Sequence, residues 1–203
     1  MITSDEALER LQSGNRRYVD GQSRYSEVVN VQRRTDLVGG QSPWAIILGC
    51  SDSRAPAEII FDHGLGDLFV IRVAGNIVAP SQVGSIEFAV ESYDTPLVVV
   101  LGHTSCGAIQ ATLEALKNPD AKHSHNLNSI VSRIRPSLET LYETDLSKDP
   151  ENLAKYAVRA NIRASVNQIR YSSPSLEQRV QSGQLKVIGA QYSIETGVVD
   201  FLD

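Results

Sequence analysis

The chain has 203 residues, of which 41% are hydrophobic and 21% charged, and its formal net charge is −5 at pH 7. These proportions are ordinary for a globular protein, and the negative charge argues against nucleic acid or an anionic membrane as the main partner. No secretory signal and no apolar run near the roughly 20 residues that span a bilayer are visible. We therefore expect a single cytoplasmic domain over residues 1–203.

The first forty residues predict a helical arm. Ser4 precedes an acidic stretch whose apolar residues follow helical spacing, which is typical of the start of a helix. We expect this helix over about residues 3–20 and a short second helix over about 30–38. Together they form an N-terminal arm over about residues 1–40.

Apolar runs of strand length alternate with helical patterns along the rest of the chain. Strands are predicted at residues 44–48, 68–73, 97–101 and 185–189, with a fifth, antiparallel strand at 197–202. Helices are predicted at residues 81–93, 107–117, 124–145 and 151–171. The alternation indicates an α/β fold with a central sheet of four mainly parallel strands plus the fifth, flanked by helices.

The chain has two cysteines, and each lies just after a predicted buried strand. Cys50 follows the run WAIILG, while His103 and Cys106 follow the run LVVVLG. Parallel strands deliver polar residues to their carboxyl ends, where ligands bind in open α/β sheets. If these two strands are neighbours, two sulfurs and an imidazole converge as a zinc site with one coordination position free.

The spacing of these residues leaves other interpretations open. The cysteines could be buried structural residues beside a core histidine, or a redox dithiol, although the absence of a Cys-x-x-Cys motif disfavours the dithiol. A closed structural zinc site is a further alternative, with Asp52 as its fourth ligand.

Asp52 and Arg54 follow Cys50 at intervals of two residues. An arginine fork can clamp a carboxylate in a bidentate pair, which keeps the carboxylate ionised and fixed beside the metal. The alternative interpretation is a helix N-cap, because Ser51, Asp52 or Ser53 shortly before Pro56 suits that position.

These motifs together resemble a known family. Cys-Ser-Asp-Ser-Arg over residues 50–54, followed by His-Thr-Ser-Cys-Gly-Ala from His103, is similar to the signature of the β-class carbonic anhydrases. Gln-Ser-Pro over 41–43, RVAGNIV over 72–78 and SIEFAV over 85–90 also resemble that family. The resemblance therefore extends over nearly the whole chain.

The resemblance implies one zinc ion per subunit, held by Cys50, His103 and Cys106. The fourth position would hold water or hydroxide in an open state and Asp52 in a closed state. Asp52 and Arg54 match the catalytic dyad of the family. The implied reaction is the reversible hydration of carbon dioxide to bicarbonate and a proton by attack of zinc-bound hydroxide.

The resemblance also implies a set of substrate-binding residues: Gln41, Phe69, Ala74, Phe88 and Gly107. Gln41 stands where plant-like members place a glutamine that binds substrate, so we favour the plant-like subtype. Other members of the family carry a tyrosine at the position of Phe88, so any role of a phenolic hydroxyl there is lost in this chain. The family implies a homodimer or a dimer of dimers.

Two further features bear on regulation and proton transfer. A regulatory subgroup of the family binds bicarbonate through a tryptophan, an arginine and a tyrosine. Arg72 and Tyr192 match two of these residues, but Ile47 occupies the tryptophan position and Trp44 lies three residues earlier, so bicarbonate regulation is not expected. His63 could relay protons, because imidazole titrates near neutrality, or could be a surface turn residue.

Two alternative functions use the same residues. One is a zinc enzyme of the same fold acting on another small linear substrate, such as carbon disulfide. The other is a non-catalytic relative whose zinc site is permanently closed.

Overall fold

The computed structural model of the protein describes residues 2–120 and 123–202. The strands are β1 (Ala45–Gly49), β2 (Leu68–Arg72), β3 (Leu97–His103), β4 (Lys186–Tyr192) and β5 (Val199–Leu202). They form one sheet in the order β2-β1-β3-β4-β5, in which the first four strands are parallel and β5 is antiparallel to β4. The predicted fold class is therefore confirmed.

Nine helices surround or precede this sheet in the described part of the chain. They are α1 (Ser4–Val19), α2 (Tyr25–Val28), α3 (Val31–Asp36), α4 (Ala57–Ile60), α5 (Pro80–Tyr93), α6 (Gly107–Lys117), α7 (His125–Tyr142), α8 (Pro150–Arg170) and α9 (Pro174–Gln181). Two 3₁₀ turns, Ala74–Asn76 and Asp145–Lys148, complete the elements. The predicted helices are all present, whereas α2, α4 and α9 were not predicted.

A capping box fixes the start of α1. The N-cap is Thr3, whose hydroxyl accepts a hydrogen bond from the backbone N–H of Glu6. The Glu6 carboxylate in turn accepts the backbone N–H of Thr3 at 2.7 Å, which completes a capping box.

The strands β3 and β4 extend beyond their predicted ends. Gly102 pairs with Gln191 and His103 pairs with Tyr192, so both strands continue past the apolar runs that predicted them. Polar residues at a strand end carry no hydrophobic pattern, and only the pairing reveals them. As a consequence, the backbone of His103 is fixed within the sheet.

The sheet is buried on both faces, and alternate residues of β1 and β3 point to opposite sides. One face packs against α5, α7 and α8, through Ile46, Leu48, Val98, Val100, Ile134 and Ile162. The other face packs against α1 and α4, through Ala7, Leu11, Ile47, Ile60 and Val99. Within residues 2–120 and 123–202, every helix is too short or too polar to span a bilayer.

Candidate metal centre

Three candidate ligands meet at the carboxyl ends of two neighbouring strands. β1 and β3 are paired in parallel, and Cys50 directly follows β1 while His103 is the last residue of β3. Cys106 is the N-cap of α6. The ligand atoms of the three residues lie within 4.8 Å of one another, all three residues are buried, and the two sulfurs are 4.0 Å apart. The structure therefore brings together the three residues that the sequence singled out.

The imidazole of His103 is oriented with one nitrogen toward the sulfurs. Nδ1 lies 2.9 Å from the carbonyl oxygen of Thr104, which can only accept, so Nδ1 carries the proton. Nε2 is buried and has no hydrogen-bond partner among the described residues. Buried polar atoms are normally satisfied, and an unpaired nitrogen beside two thiols fits a metal ligand. Two sulfurs and one imidazole are a donor set that suits zinc.

The two thiols compete for one negative charge. Hydrogen bonding from Cys106, followed by interactions with His103 and the backbone N–H of Gly75, lowers the pKa of Cys50 well below its ordinary value. The same contact with Cys50, together with burial, raises the pKa of Cys106. One thiolate forms readily, and a second is unfavourable without a cation. A bound cation would offset the negative charge and so stabilise both thiolates, as expected for a pair of metal ligands.

Protonation of His103 is governed by opposing effects. Burial disfavours the imidazolium, but interactions with Cys50, the Thr104 carbonyl and the Asp52 carboxylate outweigh burial and raise the pKa of His103. A bound cation would compete with that proton for Nε2, so metal binding at this centre would release protons.

Asp52 and Arg54 form a bidentate ion pair at the edge of the centre. Nε and Nη2 of Arg54 donate to the two carboxylate oxygens of Asp52 at 2.9 and 2.7 Å. These bonds are the main reason that the pKa of Asp52 lies far below its usual range. Oδ2 of Asp52 is 3.9 Å from Nε2 of His103, so the carboxylate faces the same space as the ligand atoms.

The alternative interpretation of this segment as a helix cap is wrong. The short helix α4 begins after Pro56, which is its N-cap residue, and no side chain of the described chain caps it. Instead, Oδ1 of Asp52 accepts the backbone N–H of Arg54 at 3.0 Å, within the loop itself.

Two further residues contact the Cys50–Asp52 loop, a role that their sequence pattern did not predict. Arg72, at the end of β2, donates to the carbonyl oxygens of Cys50 and Asp52 at 2.9 and 2.6 Å. The backbone N–H of Gly75 donates to Sγ of Cys50 at 3.3 Å. The RVAGNIV motif was the available signal, because its glycine lies a few residues after a strand.

The residues considered for a bicarbonate site have separate hydrogen-bond partners in the structure. Arg72 is engaged by the Cys50–Asp52 loop, whereas the Tyr192 hydroxyl lies 3.3 Å from the hydroxyl of Tyr18. Burial and this contact raise the pKa of Tyr192 to about 12. Trp44 packs against Arg10 and the ring of His63.

His63 contacts the N-terminal helix. Its Nε2 lies 3.3 Å from the carbonyl oxygen of Arg10, and its Nδ1 lies 3.8 Å from the Asp67 carboxylate. The contacts of His63 therefore belong to the packing of α1, and its use as a proton relay stays a prediction.

The predicted substrate-binding residues fall into two groups. Ala74 precedes Gly75 in the 3₁₀ turn, and Gly107 is the first residue of α6, so both lie next to residues of the metal centre. The second group is an aromatic cluster on the β2 side of the sheet, in which the Phe69 ring lies 6.2 Å from that of Phe88 and 6.4 Å from that of Tyr93.

Gln41 joins this aromatic cluster by donating to the Tyr93 hydroxyl at 3.1 Å. Phe69 pairs with Ile46, which lies four residues before Cys50. Phe69 and Cys50 are therefore about 13 Å apart along the strand direction. Gln41 precedes the start of β1 and is thus at the opposite end of that strand from Cys50. Within one chain, Gln41 and Phe69 are separated from the metal centre.

A model of one protein family matches residues 45–199, and its description is carbonic anhydrase. The matched range contains the three candidate ligands and the Asp52–Arg54 pair. The chain belongs to the carbonic anhydrase family.

Relatives within this family are similar over almost the full chain. A carbonic anhydrase of Mycolicibacterium smegmatis is 38% identical over 194 residues, which cover 96% of this chain and 91% of the relative. Carbonic anhydrase 2 of Mycobacterium tuberculosis is 37% identical over 191 residues, covering 94% and 89%.

Solved structures agree with this assignment and specify the class. The β-carbonic anhydrase CcaA is 28% identical with a TM-score of 0.76, covering 97% of this chain and 95% of that one. One of two tetrameric β-carbonic anhydrases from Sordaria macrospora is 26% identical with a TM-score of 0.75, covering 85% and 87%. This carbonic anhydrase is therefore of the β class.

Proposed function

We propose that this chain hydrates carbon dioxide reversibly to bicarbonate and a proton, at one zinc ion per subunit held by Cys50, His103 and Cys106. The observation that carries the proposal is the convergence of these three ligand atoms within 4.8 Å in a member of the carbonic anhydrase family. When bound, zinc is a Lewis acid that makes hydroxide available near neutral pH. Nε2 of His103 is buried and has no hydrogen-bond partner within residues 2–120 and 123–202, which supports its use as a ligand.

Asp52 orients the attacking water in this proposal. Its carboxylate can only accept hydrogen bonds while ionised, and Arg54 keeps it ionised and fixes its plane. Arg72 holds the backbone on both sides of Ser51, so the Asp52 carboxylate and the Cys50 thiol keep a constant relative position. In a closed state, Asp52 would itself take the fourth coordination position.

The residues beside the metal centre complete the binding of a small substrate. Ala74 offers a small apolar surface next to the Gly75 turn. The backbone N–H of Gly107 lies in the first turn of α6, where free amide groups and the helix dipole favour an anion such as bicarbonate.

We assign Gln41, Phe69 and Phe88 to the metal centre of a second copy of the chain. The separation of Gln41 and Phe69 from Cys50 within one chain supports this assignment. The side chain of Phe88 is large and apolar, yet the residue is 52% exposed, so a partner subunit would bury it. The Sordaria macrospora relatives are described as tetrameric. A homodimer, or a dimer of dimers, would satisfy these observations.

Several expectations from the sequence stay predictions. These are the plant-like subtype, the cytoplasmic location, and the division of residues 1–203 into one catalytic domain with an N-terminal arm over about 1–40. Neither alternative function, a carbon disulfide enzyme or a non-catalytic relative, is favoured by the family match.

The proposal is tested by stopped-flow measurement of carbon dioxide hydration between pH 6.5 and 9, with the zinc content of the same sample. We expect one zinc per chain and activity that is lost on chelation and regained with Zn²⁺. Hydration by the metal-free protein, or a fully loaded protein without activity, would contradict it.

A further inference from the structure

A row of polar side chains on α8 faces the loop that follows β2. Nδ2 of Asn161 donates to the carbonyl oxygen of Gly75 at 2.9 Å, and Oγ of Ser165 lies 3.2 Å from the carbonyl oxygen of Asn76. Asn161 and Ser165 are 3% and 4% exposed. Their spacing of four residues puts both on one face of the helix. That face directs hydrogen-bond donors into an otherwise apolar interface.

The loop that receives these donors has an unusual backbone. Gly75 and Asn76 both have positive φ, at 69° and 43°, and both are buried. A non-glycine residue in the left-handed region is strained, and such residues persist where their surroundings fix them. The carbonyl groups of both residues are fixed by α8.

Gly75 is restrained at both of its peptide groups. Its N–H donates to Sγ of Cys50 at 3.3 Å, and its carbonyl accepts from Asn161 at 2.9 Å. Glycine has wide conformational freedom, so the direction of its N–H depends on external restraints. Asn161 supplies such a restraint directly on Gly75.

We propose that Asn161 is a positioning residue for the Cys50 thiolate. By holding the Gly75 carbonyl it keeps the Gly75 N–H on the sulfur, and this hydrogen bond withdraws electron density that Cys50 would otherwise donate to the metal. The inference rests on the proposed function of Cys50 as a zinc ligand. In a site with two thiolates, reduced donation from one sulfur leaves the metal a stronger Lewis acid.

The test is the variant Asn161→Ala, with two readouts besides activity. Amide hydrogen exchange of Gly75 is measured in the zinc-loaded protein, and the thiolate-to-metal charge-transfer band is measured after Co²⁺ substitution. We expect Gly75 exchange to accelerate about tenfold or more as its restraint is lost. The Co²⁺ band should move to longer wavelength, since a sulfur without its hydrogen bond gives up an electron more easily.

Two variants serve as matched controls. Asn15 is also a buried asparagine whose Nδ2 donates to backbone carbonyls, those of Ile60 and Gly197, but it lies on α1. Asn15→Ala should destabilise the protein as a whole and leave the Co²⁺ band unchanged. Gln168 lies on the same face of α8 and donates to Val78 beyond the turn, so Gln168→Leu should change neither readout.

The outcomes separate this inference from the proposed function. If wild-type protein bound neither Zn²⁺ nor Co²⁺, the proposed function would fail and the inference with it. If wild type is loaded and active, but Asn161→Ala keeps the wild-type band and exchanges at Gly75 no faster than Asn15→Ala, the inference alone is overturned. Should Asn161→Ala fail to fold, Asn161→Leu, which keeps much of the side-chain volume but removes the Nδ2 donor, must shift both readouts in the same direction, and an unchanged band overturns the inference.

Discussion

Both oxygens of Asp52 accept from Arg54, and the same carboxylate lies 3.9 Å from Nε2 of His103. The arginine therefore sets the charge and the plane of a carboxylate at the edge of the metal centre. Because a bidentate guanidinium pair is directional, the carboxylate is presented to incoming water in one orientation.

Replacing Asp52 with asparagine tests this arrangement. Asp52→Asn exchanges a charged acceptor for a neutral amide, which weakens the pair with Arg54. The amide is also a weaker hydrogen-bond acceptor for the water that must lose its proton. We expect kcat/KM for carbon dioxide hydration to fall by about 10²-fold or more, the range for a positioned acid–base group. Stopped-flow hydration at matched zinc content measures the change.

A second aspartate provides the control for this variant. Asp94 pairs with Arg179 at 3.1 Å on the surface, and Asp94→Asn removes the same charge away from the centre. Its activity should equal that of wild type. Equal activity of Asp52→Asn and wild type would remove Asp52 from the mechanism.

The assignment of Gln41 to a partner subunit predicts complementation between two chains that are each impaired at a different residue. A heterodimer of Gln41→Ala with His103→Ala would carry one site with both a complete metal centre and a native glutamine, and one site with neither. We expect co-expressed, differently tagged chains to recover about half of the wild-type activity, because one of two symmetric sites is intact.

The two homodimers are the controls for complementation. Each carries one defect at every site, so both should be less active than the heterodimer. If Gln41 served the centre of its own chain, the heterodimer would show no more than half the activity of the Gln41→Ala homodimer.

Local patterns explain why much of the sheet was predictable. The runs before Cys50 and His103 are apolar and of strand length, and parallel strands bring their carboxyl ends together. The helices α2 and α4 have four residues each, too few to show a helical period, and α9 buries only Leu176.

The contacts around the metal centre were less accessible from sequence. Asn161 contacts Gly75 across 86 positions of sequence. Arg72, at the end of β2, contacts Asp52 in the loop that follows β1. A polar residue within a helical pattern gives no indication of which distant carbonyl it meets. Gln41 shows the same limit: its family motif predicted substrate binding, but it precedes the start of β1, whereas Cys50 follows the end of that strand.

The surroundings of Gly75 predict that a single added methyl group lowers the stability of the protein strongly. A Cβ at Gly75 would lie 2.6 Å from Cδ1 of Ile134 and 3.0 Å from Cβ of Ala108, in a left-handed backbone with φ of 69°. Gly75→Ala should lower the free energy of unfolding by about 3 kcal/mol, from overpacking and backbone strain together. Urea unfolding at pH 7 measures this difference.

A substitution at Gly183 measures the backbone strain without the overpacking. Gly183 also has positive φ, at 76°, but a Cβ there would meet no atom within 4 Å. Gly183→Ala should therefore cost only the backbone term, about 1 kcal/mol. Equal losses for the two variants would show that the space around Gly75 is not restrictive.

Asp62 connects the segment after α1 to the rest of the protein. Its side chain is fully buried and accepts from Nε of Arg17 at 2.6 Å, from the Ser23 hydroxyl at 2.6 Å and from the backbone N–H of Arg24 at 2.8 Å. Burial alone would raise the pKa of Asp62, but these hydrogen bonds outweigh it and lower the pKa.

The direction of this shift sets the pH dependence of stability. A carboxylate with a depressed pKa in the folded state contributes stability above its unfolded pKa, about 3.9, and loses it as the pH falls through the folded pKa. Asp62→Asn should lower the free energy of unfolding by about 3 kcal/mol at pH 7, because it leaves the Arg17 charge without its partner. The difference from wild type should shrink progressively below about pH 4.

Urea unfolding of both proteins at pH 7, 4 and 3 checks the prediction for Asp62. The control is Asp145→Asn, since Asp145 forms an exposed pair with Lys148 and should change stability little at any of these pH values. A constant difference between wild type and Asp62→Asn across the three pH values would mean that the lost stability comes from packing rather than from the ionised carboxylate. A difference that grows on acidification would contradict the direction of the pKa shift itself.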